Sequence, residues 1–538
     1  MRPARRPPHS AGLYFDDFAQ DSAWIRDRAH LRLPPLSERT GFVIRGEIRP
    51  HPGGGPAPGL DVRIGGKPVA RLAGLGPGPF RVDFTAEPAV DGIGTIVGLG
   101  LLGVSWTNLL AWLGRVAAGW PLSGPLQRFR RQDRNRQLRI LRVETAAGEV
   151  VFDFANRHAP LSPAFARRHT RLGLNVAGYL TADLGVGESA RCMVRAADAA
   201  GLDCALVDLR LPCKNPRGDL TYADRLRDDN PYAVNVVHLD PPGARDLDHH
   251  HPGFRNGRTN VGYWAWELPE FPDDWLPYCD YFDEIWAPSD FTRSAIGLKS
   301  PVPVLTMPHS IAFAAPGDPP AALRARFGLP SDAFLFLTLF DLNSYAERKN
   351  PWAVLAAFEA SGLAGKGAAL VVKVHNAEGN PAEFARLRAA ASAQTGVLLV
   401  TETLPRADVY ALEAACDALV SLHRAEGFGL AVAECMALGK PVISTDWSAT
   451  AEYLTAENGC PVRSTLVALD RHHGPYTRGQ IWAEPDAAHA ADWMRRLFSD
   501  RDLGVRLGKA ARSTVEERFA PAVIGRRYRR RLEAIAAW

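Results

Sequence analysis

From residue 172 onward the chain alternates short apolar runs with amphipathic stretches, and it does so in two series. The first series is "RLGLNVAGYL", the helix "VGESARCMVRAADAA", "DCALVDL", "YAVNVVHLD", "TNVGYWAW", "EIWAPS" and "VPVLTMP". The second is "FLFLTLF", a helix over 351–361, "ALVVKV", a helix over 381–394, "GVLLV", a helix over 406–416, "ALVSL", a helix over 429–438, and "PVIST". Short apolar runs that alternate with helices make a parallel, doubly wound sheet. Two such series predict an α/β molecule with two facing Rossmann-like domains. Its cleft would lie where the carboxyl ends of both sets of strands meet. We expect the first domain over 171–316 and the second over 317–515, with "GDPPAALRARFGLPSD" (317–332) as the link. A last helix, 516–538, is expected to pack back on the first domain.

At 538 residues the chain is too long for one core, which leaves room for a further domain. Residues 1–160 supply it. "FVIRGEI", "LDVRIGG", "FRVDFTA" and "LRILRVET" alternate with period two between Gly- and Pro-rich turns, the pattern of a β-sandwich. "RHAPLSPAFARRH" (157–169) reads as the linker. The uncharged run 92–114 is long enough to span a bilayer, but its glycines, Ser105 and Asn108 break it. It reads as a strand followed by an amphipathic helix over 106–120, whose Trp106, Trp112 and Trp120 suit a membrane surface.

Composition narrows the class. With 46% apolar and 23% charged residues the chain is a soluble globular one, and a net charge of +4 does not imply nucleic acid. Arginine is nonetheless clustered, seven in 128–142 and five in 526–531, which suits peripheral contact with an anionic membrane. Seven scattered cysteines without a C-x-x-C pair argue for reduced thiols in the cytoplasm and against a zinc site. "HHH" (249–251) reads as a solvated loop or an adventitious metal site, and the N-terminus lacks the apolar stretch of a signal peptide.

Three segments carry chemistry. "GYLTADLGVGESAR" (178–191) runs from strand through loop into helix; Gly185 and Gly187 permit a close approach, and Ser189 and the first helix amides favour an anion. The alternative is a plain strand–helix turn. "FDLNSYAERKNPW" (340–352) puts Arg348 and Lys349 just before a helix that opens on Pro351. Two adjacent cations there call for an anion, such as a diphosphate, unless they form a solvated basic turn. "HRAEGFGLAVAECMALGKPV" (423–442) sets Glu426 in a loop and Glu434 inside an apolar helix. An ionised carboxylate buried without partners costs several kcal/mol (about that even after relaxation), and a ribose diol would satisfy it. A nucleotide sugar would then lie with its ribose at Glu434, its diphosphate at Arg348 and Lys349, and its sugar near Glu426.

"EGFGLAVAE" and the following "GKPVISTDWSATAEYL" resemble the E-x7-E motif and next strand of retaining glycosyltransferases of the GT-B fold, closest to family 4. The resemblance covers residues 172–538. It implies that Glu434 binds ribose, that Phe428, Gly429 and Leu430 supply backbone contacts, and that Arg348 and Lys349 hold the diphosphate. Gly185, Gly187 and Ser189 would form the loop facing phosphate and acceptor. Glu426 would position the sugar. The chain departs from the family at Ser344, where an arginine is usual among the donor-binding residues, and in lacking the N-domain histidine. His238 and Glu267 lie in that region, on the acceptor side. The resemblance implies hexosyl transfer from a UDP- or GDP-linked donor to a glycan or lipid-linked acceptor in surface polysaccharide assembly, without metal or other cofactor, at the cytoplasmic membrane face. The competing readings are an inactive glycan- or partner-binding scaffold and a GT-B epimerase or phosphorylase; the phosphorylase would need a pyridoxal lysine, for which there is no signal.

Overall fold

The structure, a computed structural model, describes residues 10–16, 19–34, 36, 38–49, 58–88, 95–102, 138–156, 160–168 and 172–537. The tryptophan-bearing stretch 106–120 and the arginines of 128–137 lie outside the described residues.

The first parallel sheet has six strands: Leu174–Gly178, Cys204–Asp208, Val234–His238, Thr259–Tyr263, Glu284–Ala287 and Val304–Thr306. The second is Phe334–Asp341, Ala368–His375, Val397–Val400, Ala418–Ser421, Val442–Thr445 and Cys460–Val462. Five of these strands are buried along their whole length, and most of the others along most of it, because helices cover both faces. In the first sheet the chain lays its first strand between the second and third; in the second sheet, between the second and fourth. Strand order reverses at those points, and a crevice opens beyond the carboxyl ends there. Gly178 and His238 end the strands at one crevice; Asp341 and Ser421 end them at the other. This is the facing pair of Rossmann-like domains expected from the alternation.

Two connections are more structured than the sequence reading anticipates. The 317–332 link contains a helix, Pro320–Arg326, and the Arg324 guanidinium donates to the Ala415 carbonyl (3.0 Å) and Asp417 (2.8 Å). That segment is therefore bolted to the second domain. After the second sheet, a hairpin of Ser464–Ala468 and Ile481–Pro485 carries the loop 469–480 toward the cleft. The sequence reading has no counterpart for it. The helix Arg501–Phe519 closes the second domain, with Gly508 pressed onto the Gly439 carbonyl. Pro521–Ala537 then crosses back and lies along the helix Gly185–Ala199, where Gly525 abuts the Ala196 carbonyl and Tyr528 stacks on Trp286 at 5.5 Å. Arg531 is spent on an ion pair with Glu284 (3.1 Å) rather than on a basic surface. The triple histidine is not a loop throughout: His249 and His250 end the helix Gly243–His250.

The N-terminal module is antiparallel. Among its described residues nine strands form one hydrogen-bonded sheet, in which Lys67–Leu72 and Gly78–Ala86 are at opposite ends of a seven-strand path. Seven strands laid flat would set those ends roughly 29 Å apart, while the short turn joining them reaches only about 20 Å. The sheet must curl, and it closes over a core that includes Ile25, Leu31, Phe42, Ile44, Val143 and Phe152. Leu161, Phe165 and Ala166, in the segment expected to be linker, belong to this core. Leu161 also docks on the first Rossmann-like domain: its N–H donates to Asn256 Oδ1 (2.8 Å), and its side chain covers Gly257, at φ +68°. Residues 256 and 257 precede the strand Thr259–Tyr263, at the amino edge of the sheet, opposite the cleft. A chain beginning at residue 169, which removes the module with its last helix, should therefore bind nucleotide with unchanged affinity in calorimetric titration; a drop of more than about threefold (roughly 0.7 kcal/mol) would mean that the module reaches the cleft.

Candidate active site

Arg348 and Lys349 stand on a one-turn helix, Ala346–Lys349, entered through Tyr345 at φ +64° and left through Asn350 at φ +53°. Asn350 also caps the helix Pro351–Ser361, accepting from the Ala353 N–H at 3.3 Å, with Pro351 in the first turn. Their anion is in the protein: Lys349 pairs with Glu426 Oε1, and Arg348 Nη1 lies 3.4 Å from the same oxygen. Arg348 also donates to the Ala425 carbonyl (2.9 Å) and reaches Glu267 of the opposite domain at 3.6 Å. The Glu267 carboxylate accepts from the Tyr476 hydroxyl at 2.9 Å. Burial raises the Glu426 carboxyl, but Lys349 and Arg348 outweigh it and hold it down at about 2, so it is ionised. For Arg348, burial opposes the charge while the Glu267 and Glu426 carboxylates secure it.

The Arg348 side chain is only 4% exposed, against 23% for Lys349. The sequence treats the two as a matched pair of phosphate ligands, but Arg348 is enclosed while Lys349 keeps part of its side chain exposed. Arg348 is a strut between Glu426 and Glu267. Ser344, half-buried, closes the turn Leu342–Ser344 and brings no charge.

Glu434 lies on the helix Leu430–Ala437, buried as its apolar setting implies. It does not lack a partner. Arg406, 28 residues earlier at the start of the helix Arg406–Ala415, pairs with its Oε1. Arg406 also lies over the Tyr410 ring and 4.0 Å from Glu188 of the opposite domain. Glu188 is itself held by Arg191 (2.9 Å) and Arg195, and Arg191 by Asp219 (3.0 Å). Burial raises the Glu188 carboxyl, yet Arg406, Arg195 and Arg191 bring it down to about 2. Burial pushes the Glu434 carboxyl up, with Arg406 pulling it back.

Between the two carboxylates the loop touches the opposite domain. Gly427 is close enough to the Trp266 carbonyl that a Cβ would sit 3.2 Å from it, and Gly429, at φ +86°, starts the helix where a Cβ would strike Thr450. Phe428 is buried edge-on against His309 (4.8 Å) and Phe519 (5.2 Å). Leu430 opens the helix, half-buried.

The loop opposite is tighter than expected. Gly185 begins its helix with open space where a Cβ would lie, but Gly187 is packed against the Tyr179 and Ala182 carbonyls. The Ser189 hydroxyl lies 2.9 Å from His238 Nδ1, and both are buried. His238 also stacks on Tyr263 at 4.5 Å, and burial depresses its pKa well below the ordinary value. Ser189 and His238 thus belong to the core beneath the crevice rather than to its wall. Glu267 instead meets Arg348 and Tyr476 of the opposite domain. The sequence reading misses Tyr476, Arg406, Glu188, Arg191 and Arg195. Tyr476 lies in "HHGPYTRG", which reads as an ordinary turn. Glu188 had a signal, an acid in the first turn of a helix that faces an anion site.

Among the described residues no group of three or more His, Cys, Asp or Glu is placed to hold a metal, and no helix is long and apolar enough to cross a membrane. None of the seven cysteines is in a disulfide.

The two facing domains are the GT-B arrangement. Sucrose-phosphate synthase from Thermosynechococcus elongatus shares it, at 15% identity and a TM-score of 0.50, over 68% of this chain and 100% of that one. A glycosyltransferase from Rickettsia africae (14%, TM-score 0.49, 68% and 98%) and Anabaena HepE in complex with UDP and glucose (14%, 0.48, 67% and 100%) are also similar. Residues 337–514 match the family model of glycosyl transferases group 1, and that segment contains Arg348, Lys349, Arg406, Glu426 and Glu434. No curated protein matches the chain.

Proposed function

We propose that the chain is a retaining hexosyltransferase that uses a UDP- or GDP-linked sugar and a glycan or lipid-linked acceptor. One observation carries the reading: an ionised Glu426, held by Lys349 and Arg348 at the crevice of one domain, opposite Glu267 of the other. Glu426 accepts hydrogen bonds from the donor sugar. Lys349 turns its open face to the diphosphate, whose negative charge grows as the bond from the anomeric carbon to the phosphate oxygen breaks. The acceptor oxygen attacks on the face the diphosphate leaves, and its proton passes to the departing phosphate oxygen. The likeness of 426–434 to the E-x7-E motif supports retention, family 4 kinship and a role in surface polysaccharide assembly. The leaving charge is met by protein cations rather than by a metal.

Both charge clusters are balanced as they stand, so an arriving diphosphate competes with Glu426 for Lys349, and a ribose shares Glu434 with Arg406. A thermal-shift screen of UDP, GDP and their hexoses tests the reading, because ligand binding raises apparent stability by mass action. No shift with any of them removes it. Glu434→Gln should weaken binding of the nucleoside diphosphate by about 1.5–3 kcal/mol, measured by calorimetry; unchanged affinity in the folded variant would take Glu434 out of the donor site.

A further inference from the structure

The loop 469–480 belongs to the second domain, yet it ends on the first. Tyr476 is buried, with its ring against Trp266 (5.5 Å) and its hydroxyl donating to Glu267 Oε2 (2.9 Å). Gln480 Nε2 donates to the Glu270 carbonyl at 3.0 Å. The same loop grips the turn that presents Arg348 and Lys349. Tyr345 meets Tyr476 edge-on at 5.6 Å, and its ring fills the space over Gly474, where a Cβ would come within 2.1 Å of Tyr345 Cζ. Tyr345 is a bulky residue at φ +64°, a conformation that persists only where its surroundings hold it. One loop therefore braces the backbone that carries the cations and pins the carboxylate across the cleft.

We propose that Tyr476 is a positioning residue for sugar transfer: its hydroxyl fixes Glu267 against Arg348, so that Glu267 and Glu426 face the donor sugar from opposite walls of the cleft. The geometry leaves Glu267 Oε1 on the Arg348 side, 3.6 Å from Nη2, while Tyr476 occupies Oε2. A carboxylate tied at one oxygen by a neutral donor keeps a single orientation, and can still accept from a sugar hydroxyl at the other. Burial pushes the Tyr476 phenol well above its ordinary range, so it remains a donor at working pH. The ribose end of the donor, at Glu434, is served by other residues. Loss of the hydroxyl should therefore be felt in the chemical step and not in nucleotide binding.

The inference rests on the glycosyl-transfer reading, and one set of measurements separates the two. Full-length wild type, Tyr476→Phe, Glu267→Gln and the double variant are titrated with UDP and GDP and assayed for turnover of the UDP- or GDP-hexose that wild type uses. Tyr476→Phe keeps the ring packing. We expect its kcat to fall about tenfold, with KM and nucleotide affinity as in wild type and a melting temperature lowered by a few degrees for the lost hydrogen bond. Tyr476 acts through Glu267, so the double variant should be no slower than Glu267→Gln alone. Wild-type kcat in Tyr476→Phe, or losses that multiply in the double variant, would overturn the inference while leaving glycosyl transfer intact. A wild type that binds and turns over no nucleotide sugar would overturn the reading of the site and the inference with it.

Discussion

Arg348→Ala and Lys349→Ala, changes of two adjacent cations, should fail in different ways. Arg348 is enclosed by the Ala425 carbonyl, Glu426 and Glu267. Its removal leaves Glu267 without its nearest cation and Glu426 with Lys349 alone. Breaking a buried ion pair from one side costs about 3–5 kcal/mol, because the remaining charge is uncompensated. Chemical denaturation should show most of that loss. Lys349 is more open, and its partner Glu426 keeps Arg348 when the lysine goes. The stability cost should be smaller, about 1–3 kcal/mol for the hydrogen bond lost to a charged group, whereas kcat should fall on the order of 10²-fold if Lys349 meets charge that grows only in the transition state. The two losses are independent readouts. A Lys349→Ala variant with wild-type kcat and a raised KM would make the lysine a ground-state ligand only. An Arg348→Ala variant as stable as wild type would contradict its placement as the strut between the domains.

That contrast marks how far the sequence could be read. Strand and helix positions were legible because burial imposes period and length: the helices expected at 351–361, 406–416 and 429–438 occur as Pro351–Ser361, Arg406–Ala415 and Leu430–Ala437. A charged residue inside an apolar helix was legible as a problem that the fold must solve. The solution was not legible. Glu434 meets Arg406 because two helices pack side by side, and Arg348 meets Glu267 because two domains close on each other. Periodicity says which face a side chain takes, not which face it meets. The same limit explains Ser189 and His238, which sit where a ligand loop should be and turn inward to each other instead. The hairpin loop with Tyr476 escaped for a different reason: Gly, Pro and His in a short stretch signal a turn, and nothing local says that the turn ends 2.9 Å from a carboxylate of another domain.

Glu413 lies on the same helix as Arg406. It is 1% exposed, and neither of its carboxylate oxygens has a hydrogen-bond partner. Burial raises its pKa well above the ordinary value, and the negative charge of Glu434 nearby adds to the rise. Glu413 therefore holds its proton to higher pH in the folded protein than in the unfolded chain, where it is an ordinary carboxyl titrating near about 4.3. A raised pKa means that the folded state holds a proton the unfolded state has released. The contribution is fully present below about pH 4 and is lost as pH rises toward the folded pKa, by up to about 1.4 kcal/mol per unit. Glu426 and Glu188, both held near 2, act in the other window: their stabilisation is present above about 4.3 and lost as pH falls through about 2. The two effects do not overlap. Between pH 5 and 7 the wild type should therefore lose stability as pH rises, and Glu413→Leu, which replaces an unpartnered polar group by an apolar one of similar size, should flatten that slope and be the more stable protein at pH 7. Urea titrations of both chains at pH 5, 6 and 7 check this. Parallel pH profiles would mean that Glu413 is ionised in the folded protein, and a Glu413→Leu variant less stable at pH 7 would mean that the carboxyl has a partner its surroundings conceal.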